Sequence, residues 1–253
     1  MWRVGRIENF VFGNTMVEIF LCHRYPFTLF ASMIGYSIGT RADQDQSNRV
    51  DKAIESGVSI DFIDNDFKNP NHKIVIEKAI EYDAEYAVCP DIFDKNDLTR
   101  VLDTAHELDR NGTTPIIVPK TEFDKSNLDD DWLLGFSVSS DYGGTDVSYD
   151  FFRGYKTHLL GGNIKNQEIA YDMLTEKDVD VVSLDSNYFF NSATFGHVVN
   201  NAEEILEGGN FNENDIDWLD SWESRCLVSI IRYYEFWQKK IERGVEDGSV
   251  FDY

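Results

Sequence analysis

The feature that most limits how this chain can fold is an alternation. Short apolar runs recur along it: "VEIFLC" (17–22), "IDFIDN" (60–65), "EYAVCPD" (85–91), "TPIIVPK" (114–120), "WLLGFSV" (132–138), "KTHLLGG" (156–162) and "VDVVSLDS" (179–186). Each has the length and β-branched content of a strand buried on both faces. Between them lie segments with apolar residues at helical spacing, such as "DLTRVLDTAHELDRNG", where Val101, Leu102, Ala105 and Leu108 share one side. Gly57 and Gly112 stand where helices would end, and Asp94 or Asp97 where one would begin. Strands alternating with helices predict a parallel sheet with right-handed crossovers. An open doubly wound sheet should carry a phosphate-binding glycine turn after an early strand, and neither GxGxxG nor GxxxxGK[ST] occurs. The expected fold is therefore α/β, a (β/α)₈ TIM-like barrel, with "TFGHVVN" (194–200) as its eighth strand.

At 253 residues the chain is expected to form a single barrel domain over 1–253, with 213–243 a C-terminal helical appendage. Within that appendage Leu227, Ile230, Ile231, Tyr234 and Ile241 mark one apolar side, as expected of a helix packed on the barrel exterior. No run approaches a membrane span and the N-terminus lacks a signal-peptide layout, so a soluble, cytoplasmic protein is expected. Three widely separated cysteines, Cys22, Cys89 and Cys226, give neither a disulfide framework nor a metal cluster, and buried thiols are the expectation. The formal charge of −23 suits a surface kept hydrated at high salt, as in a halophile, and argues against strong nonspecific attraction to nucleic acid.

In such a barrel the loops at the C-terminal strand ends converge on one mouth, so what each strand delivers there is informative. The runs end in Asp64, Asn65 and Asp66, in Asp91, in Lys120, in Ser139, Ser140 and Asp141, in Gly161, Gly162 and Asn163 after His158, and in Asp185. Carboxylates crowded in a partly desolvated cleft raise one another's pKa and separate into an acid and a nucleophile.

The ordered series "FIDNDF" (62–67), "VCPDIFD" (88–94), "LLGFSVS" (133–139), "THLLGGN" (157–163) and "VSLDSNYFFNSATFG" (182–196) resembles the tRNA-guanine transglycosylase superfamily, most closely its short, zinc-less branch that inserts 7-deazaguanine bases into DNA. The resemblance implies that Asp185 attacks C1′ of a guanosine nucleotide and forms a covalent glycosyl-enzyme, with Asp64 as general acid/base. It implies that Asp91 binds the base, with Asp66, Gly135, Gly161, Gly162, Lys120 and His158 as further substrate-binding residues. Such chemistry needs no cofactor and no metal. A carboxylate nucleophile divides displacement at an anomeric carbon into two easier steps, and the nucleotide must first leave any duplex stack.

The chain departs from that pattern in several places. Asn65 and Asp66 replace the glycine pair after the first Asp, so Asp66 competes with Asp64. Pro119 and Lys120 replace a Gln-Gly, and the zinc ligands and the arginines after the nucleophile are missing. Loss of the zinc subdomain and shortness imply DNA as the acceptor, with tRNA or a non-catalytic base-binding barrel as alternatives. The expected partners are the nucleic acid, a 7-deazaguanine base and accessory modification proteins, in a viral setting within host cytoplasm. Phe67, Tyr188 and Phe189 are candidate stacking faces, and Lys120, Arg153, Lys156 and Lys165 candidate phosphate contacts.

Overall fold

Eight parallel strands close a barrel in strict chain order: β1 (Glu18–Cys22), β2 (Ser37–Arg41), β3 (Phe62–Asp64), β4 (Tyr86–Val88), β5 (Thr114–Ile117), β6 (Leu133–Ser137), β7 (Thr157–Leu160) and β8 (Val181–Asp185), with β8 pairing back onto β1. The structure is a computed structural model that describes residues 17–140, 143–194, 198 and 221–246. Five of the seven crossovers are the helices α1 (Phe27–Met33), α2 (Val50–Glu55), α3 (His72–Tyr82), α4 (Lys95–Arg110) and α5 (Ile164–Thr175), and the β5–β6 and β6–β7 connections hold short 3-10 turns at Lys125–Asn127 and Tyr149–Phe152. The expected (β/α)₈ architecture is thus observed.

One strand differs from the sequence expectation. The barrel closes without 194–200: Thr194 ends a helix, and apart from Val198 the rest of that stretch lies outside the described residues. The strand not anticipated is β2, "SIGTR". Its inward positions carry Ser37, Gly39 and Arg41, so it shows no apolar run. Gly39 is required by packing, because a Cβ there would lie 2.7 Å from both Cys22 Sγ and the Phe62 ring.

The barrel interior is filled by Phe20, Phe62, Val88, Ile116, Val118 and Leu133, with the Phe20 and Phe62 rings stacked at 4.8 Å. Alternation along the strands turns Leu21, Ile63, Ala87, Ile117 and Leu134 to the outer face, and all are fully buried there. Burial on both faces is what makes seven of the eight visible as short apolar-rich runs.

Helix ends follow local chemistry. Asn71 accepts a hydrogen bond from the Ile74 N–H, Asp94 and Asp97 form a reciprocal capping box on α4, and Asn163 accepts from the Asn166 N–H. Gly57 and Gly112 adopt φ of 88° and 83° just past α2 and α4, as expected of C-terminal caps.

The described residues divide into two compact units, one spanning Glu18–Ser186 and holding all eight strands. The described helices of the other are α6 (Tyr188–Thr194) and α7 (Trp222–Glu246), joined by Phe189 on Tyr233 at 5.5 Å, by Phe190 on Trp222 at 5.6 Å and by Arg225 Nε donating to the Ala193 carbonyl at 3.0 Å. Of the expected appendage, 213–220 lie outside the described residues. The buried stripe of α7 is Cys226, Ile230, Tyr233 and Trp237, rotated from the expected side, and Ile231 is exposed. Ring packing decides that phase: Tyr233 lies against both Phe189 and Trp237. Cys89 and Cys226 are buried thiols, while Cys22 is partly exposed. Among the described residues no helix is long and apolar enough to cross a membrane.

Candidate active site at the barrel mouth

Parallel pairing raises the strand ends in steps around the barrel. Asp185 lies opposite Phe20, Cys22 opposite Gly39, and Arg41 opposite Asp64. Inward side chains at the top of β8, β1, β2 and β3 are therefore Asp185, Cys22, Arg41 and Asp64. Beyond β4 and β5 a parallel bridge between Ile92 and Pro119 prolongs the pairing and sets Asp91 beside Lys120, with Lys120 Nζ 3.4 Å from Asp91 Oδ2 and 2.9 Å from the Gly144 carbonyl that accepts from it.

These groups feel one another's charge. Asp64 has its pKa raised to about 8, first by burial and then by the charge of Asp185; the Asn65 N–H, donating to Oδ1 at 2.8 Å, and Arg41 oppose the rise, while Asp91 adds to it. The Cys22 thiol is pushed well up by burial and by both Asp185 and Asp64. Burial also raises Asp91, with Lys120 acting against it. The three carboxylates expected to converge do so at one mouth.

Asp185 itself is almost fully buried. Its Oδ1 accepts from the Gly161 N–H at 3.0 Å and lies 3.3 Å from His158 Nε2, whereas no hydrogen bond from a described residue reaches Oδ2. Gly161 adopts φ of 60°, a conformation that glycine takes without strain, and the space where a Cβ would stand is open. Behind it Gln167, buried on α5, donates to the carbonyls of both Gly161 (2.8 Å) and Asp185 (2.7 Å), tying the β7–α5 loop to the end of β8.

Several expected site residues take other places. Asp66 sits in a turn; desolvation raises its carboxyl, but bonds from the Lys68 N–H and Asn69, with the charge of Arg41, together hold it below the usual range, so it does not share the raised titration of Asp64. Gly135 is inside the packed barrel, where a Cβ would meet Leu160, Ile116 and Val118, and has no room for a ligand. His158 is fully buried one layer beneath Asp185, its ring stacked on Phe62 at 5.2 Å, so it contacts Asp185 rather than a substrate. Gly162, at φ of 84° against Val138, accepts a bond from Ser186 through its carbonyl.

Arg153 and Lys156 precede β7 and so belong to the end of the barrel opposite the mouth, where Arg153 meets Asp150, Asp178 and the Lys177 carbonyl. Lys165 is exposed in the first turn of α5. Phe67 is exposed after β3, with Lys68 Nζ 5.5 Å from its ring; Tyr188 is exposed, and Phe189 packs on Tyr233. Asp141 lies outside the described residues.

Two residues were not anticipated. Arg41, engaged by both oxygens of Asp43 at 2.6 and 2.8 Å, came with the unrecognised β2. Gln167 could have been found as a polar residue on the buried α5 face of Ile164, Ala170 and Leu174. Among the described residues no group of three or more His, Cys, Asp or Glu is arranged to hold a metal ion.

Among solved structures the chain is similar to the YdjI aldolase of Escherichia coli K12, with 9% identity, a TM-score of 0.54, and 89% of this chain and 91% of that one covered. It is also similar to a FabK point mutant from Thermotoga maritima, with 10% identity, a TM-score of 0.50, and coverage of 92% and 95%. At these identities the likeness is one of fold. No curated protein sequence matches the chain. A family model does match, over residues 31–222, from β2 and its Arg41 through all three mouth carboxylates. On that match the chain belongs to the family of unknown function DUF6610.

Proposed function

We propose that this barrel is a transglycosylase that exchanges guanine in DNA for a 7-deazaguanine base through an Asp185-linked glycosyl intermediate. The observation that carries the reading is the division of labour between two carboxyl groups at one mouth. Asp64 keeps its proton to about pH 8, while Asp185 has Oδ1 engaged by Gly161 and His158 and Oδ2 left for attack. Asp185 Oδ2 bonds to C1′ as the C1′–N9 bond breaks, and Asp64 delivers its proton to the departing guanine. The incoming base then loses its N9 proton to Asp64 and displaces Asp185 from C1′, restoring both groups.

The Asp91–Lys120 pair supports purine binding at the same place. A carboxylate acceptor beside an ammonium donor complements the N1–H and O6 edge of a guanine ring. DNA is the acceptor that the chain's resemblance to the zinc-less transglycosylases favours.

The test is incubation with labelled 7-deazaguanine and either DNA or tRNA. Label should enter DNA with release of guanine and should be lost in Asp185→Asn. Label entering tRNA alone would change the acceptor, guanine released without incorporation would make the enzyme a hydrolase, and neither event would reject the reading.

A further inference from the structure

Beneath the nucleophile runs a buried chain of three side chains. Ser183 Oγ lies 2.8 Å from His158 Nδ1, and His158 Nε2 lies 3.3 Å from Asp185 Oδ1. We infer that Ser183 is a positioning residue: by donating to Nδ1 it holds His158 with its proton on Nε2, and the imidazole then fixes Asp185 with Oδ2 facing the mouth. This inference rests on Asp185 being the nucleophile.

The sheet is built to make this contact. From Thr157 to His158 strand β7 advances one residue, while its partner on β8 advances two, from Val181 to Ser183, so Val182 is a bulged residue. Without that insertion His158 would face position 182, where there is no hydroxyl. Bulges beside sites commonly re-aim a side chain in this way. The imidazole has no freedom to turn elsewhere, since it is fully buried, stacked on Phe62 at 5.2 Å and near Phe20 at 6.0 Å.

Hydrogen-bond polarity fixes the direction of the chain. An ionised Asp185 can only accept, so Nε2 must carry a proton, and in a neutral ring Nδ1 is then an acceptor. The partner at Nδ1 must donate, and a serine hydroxyl can rotate to do so. The reverse arrangement, with Nδ1–H donating to Ser183, would set the Nε2 lone pair against Oδ1. That is tolerable only when Asp185 is protonated and hence no nucleophile. The hydroxyl is thus a determinant of the state of the carboxylate it never touches.

The experiment combines nitrogen NMR of the full chain labelled at histidine with a double-mutant cycle in the base-exchange assay. In the wild type His158 should show a protonated Nε2 and a hydrogen-bonded, unprotonated Nδ1; a proton on Nδ1 would overturn the inference. Ser183→Ala should lower kcat roughly 10- to 100-fold with KM little changed, and Ser183→Thr should restore most of the loss. In a His158→Gln background, where the amide nitrogen donates to Asp185 whatever occupies position 183, Ser183→Ala should cost less than about twofold. An equal loss in both backgrounds would mean that Ser183 acts only through packing. A protein that exchanges no base would instead sink the proposed function, and the NMR result would still decide the role of Ser183.

Discussion

Replacing Asp64 with Asn should change how stability depends on pH, in a direction set by the structure. An Asp in an unfolded chain titrates near 3.9, whereas Asp64 in the folded barrel titrates at about 8. Below about pH 4 both states are protonated and the full stability is present. Between about 4 and 8 only the folded state holds the proton, so stability falls as pH rises, by at most about 1.4 kcal/mol per pH unit. Above about 8 the carboxylate is ionised in both states and the loss is complete. Between pH 5 and pH 8 the ceiling is about 4 kcal/mol. Asn is nearly isosteric and retains the oxygen that accepts from the Asn65 N–H, but it does not titrate. Urea unfolding from pH 5 to 9 should therefore show Asp64→Asn gaining on the wild type by up to about 4 kcal/mol across the range. Curves that run parallel within about 0.5 kcal/mol would refute the assignment of Asp64 as the protonated member of the pair.

Three further outcomes follow from named contacts. The rate of base exchange should fall on the alkaline side with a midpoint near 8, as Asp64 loses the proton it must donate, and Arg41→Met should move that midpoint upwards because Arg41 favours the ionised form; a pH–rate profile in which it moves downwards would contradict the arrangement. Lys120→Met leaves Asp91 partly buried without its cation, so the affinity for free 7-deazaguanine should fall about tenfold by calorimetry, and unchanged affinity would remove the pair from the base site. Gly39→Ala sets a Cβ 2.7 Å from Cys22 Sγ and 2.9 Å from the Phe62 carbonyl oxygen, so denaturant midpoints should report a loss of about 1–3 kcal/mol.

The parts of the fold that could be read in the sequence were those where packing alone chose the residues. Strands β1 and β3 to β8 carry apolar side chains both towards the barrel centre and towards the helices, which leaves unbroken runs such as Pro115 to Val118. Strand β2 escaped because a crowded interior selects for the absence of a side chain at Gly39, while its flanking inward residues are Ser37, bonded to Glu18, and Arg41.

The mouth carboxylates Asp64, Asp91 and Asp185 were legible as polar residues ending apolar runs. Their depth was not. Whether an inward residue meets solvent or another layer depends on strand register, which is why His158 was expected at the substrate and lies under Asp185, and why Gly135 was expected in the site and lies in the core. The bulge at Val182 has no local signature at all, since Val181, Val182 and Leu184 would suit an unbroken strand equally well.

Attack of Asp185 on the sugar can be seen by mass spectrometry of the protein after incubation with a guanine-containing oligodeoxynucleotide and no incoming base. A denaturation-resistant protein–DNA adduct should form, its peptide map placing the bond on Asp185, with guanine released in equal amount. No adduct, or an adduct that persists in Asp185→Asn, would contradict that attack.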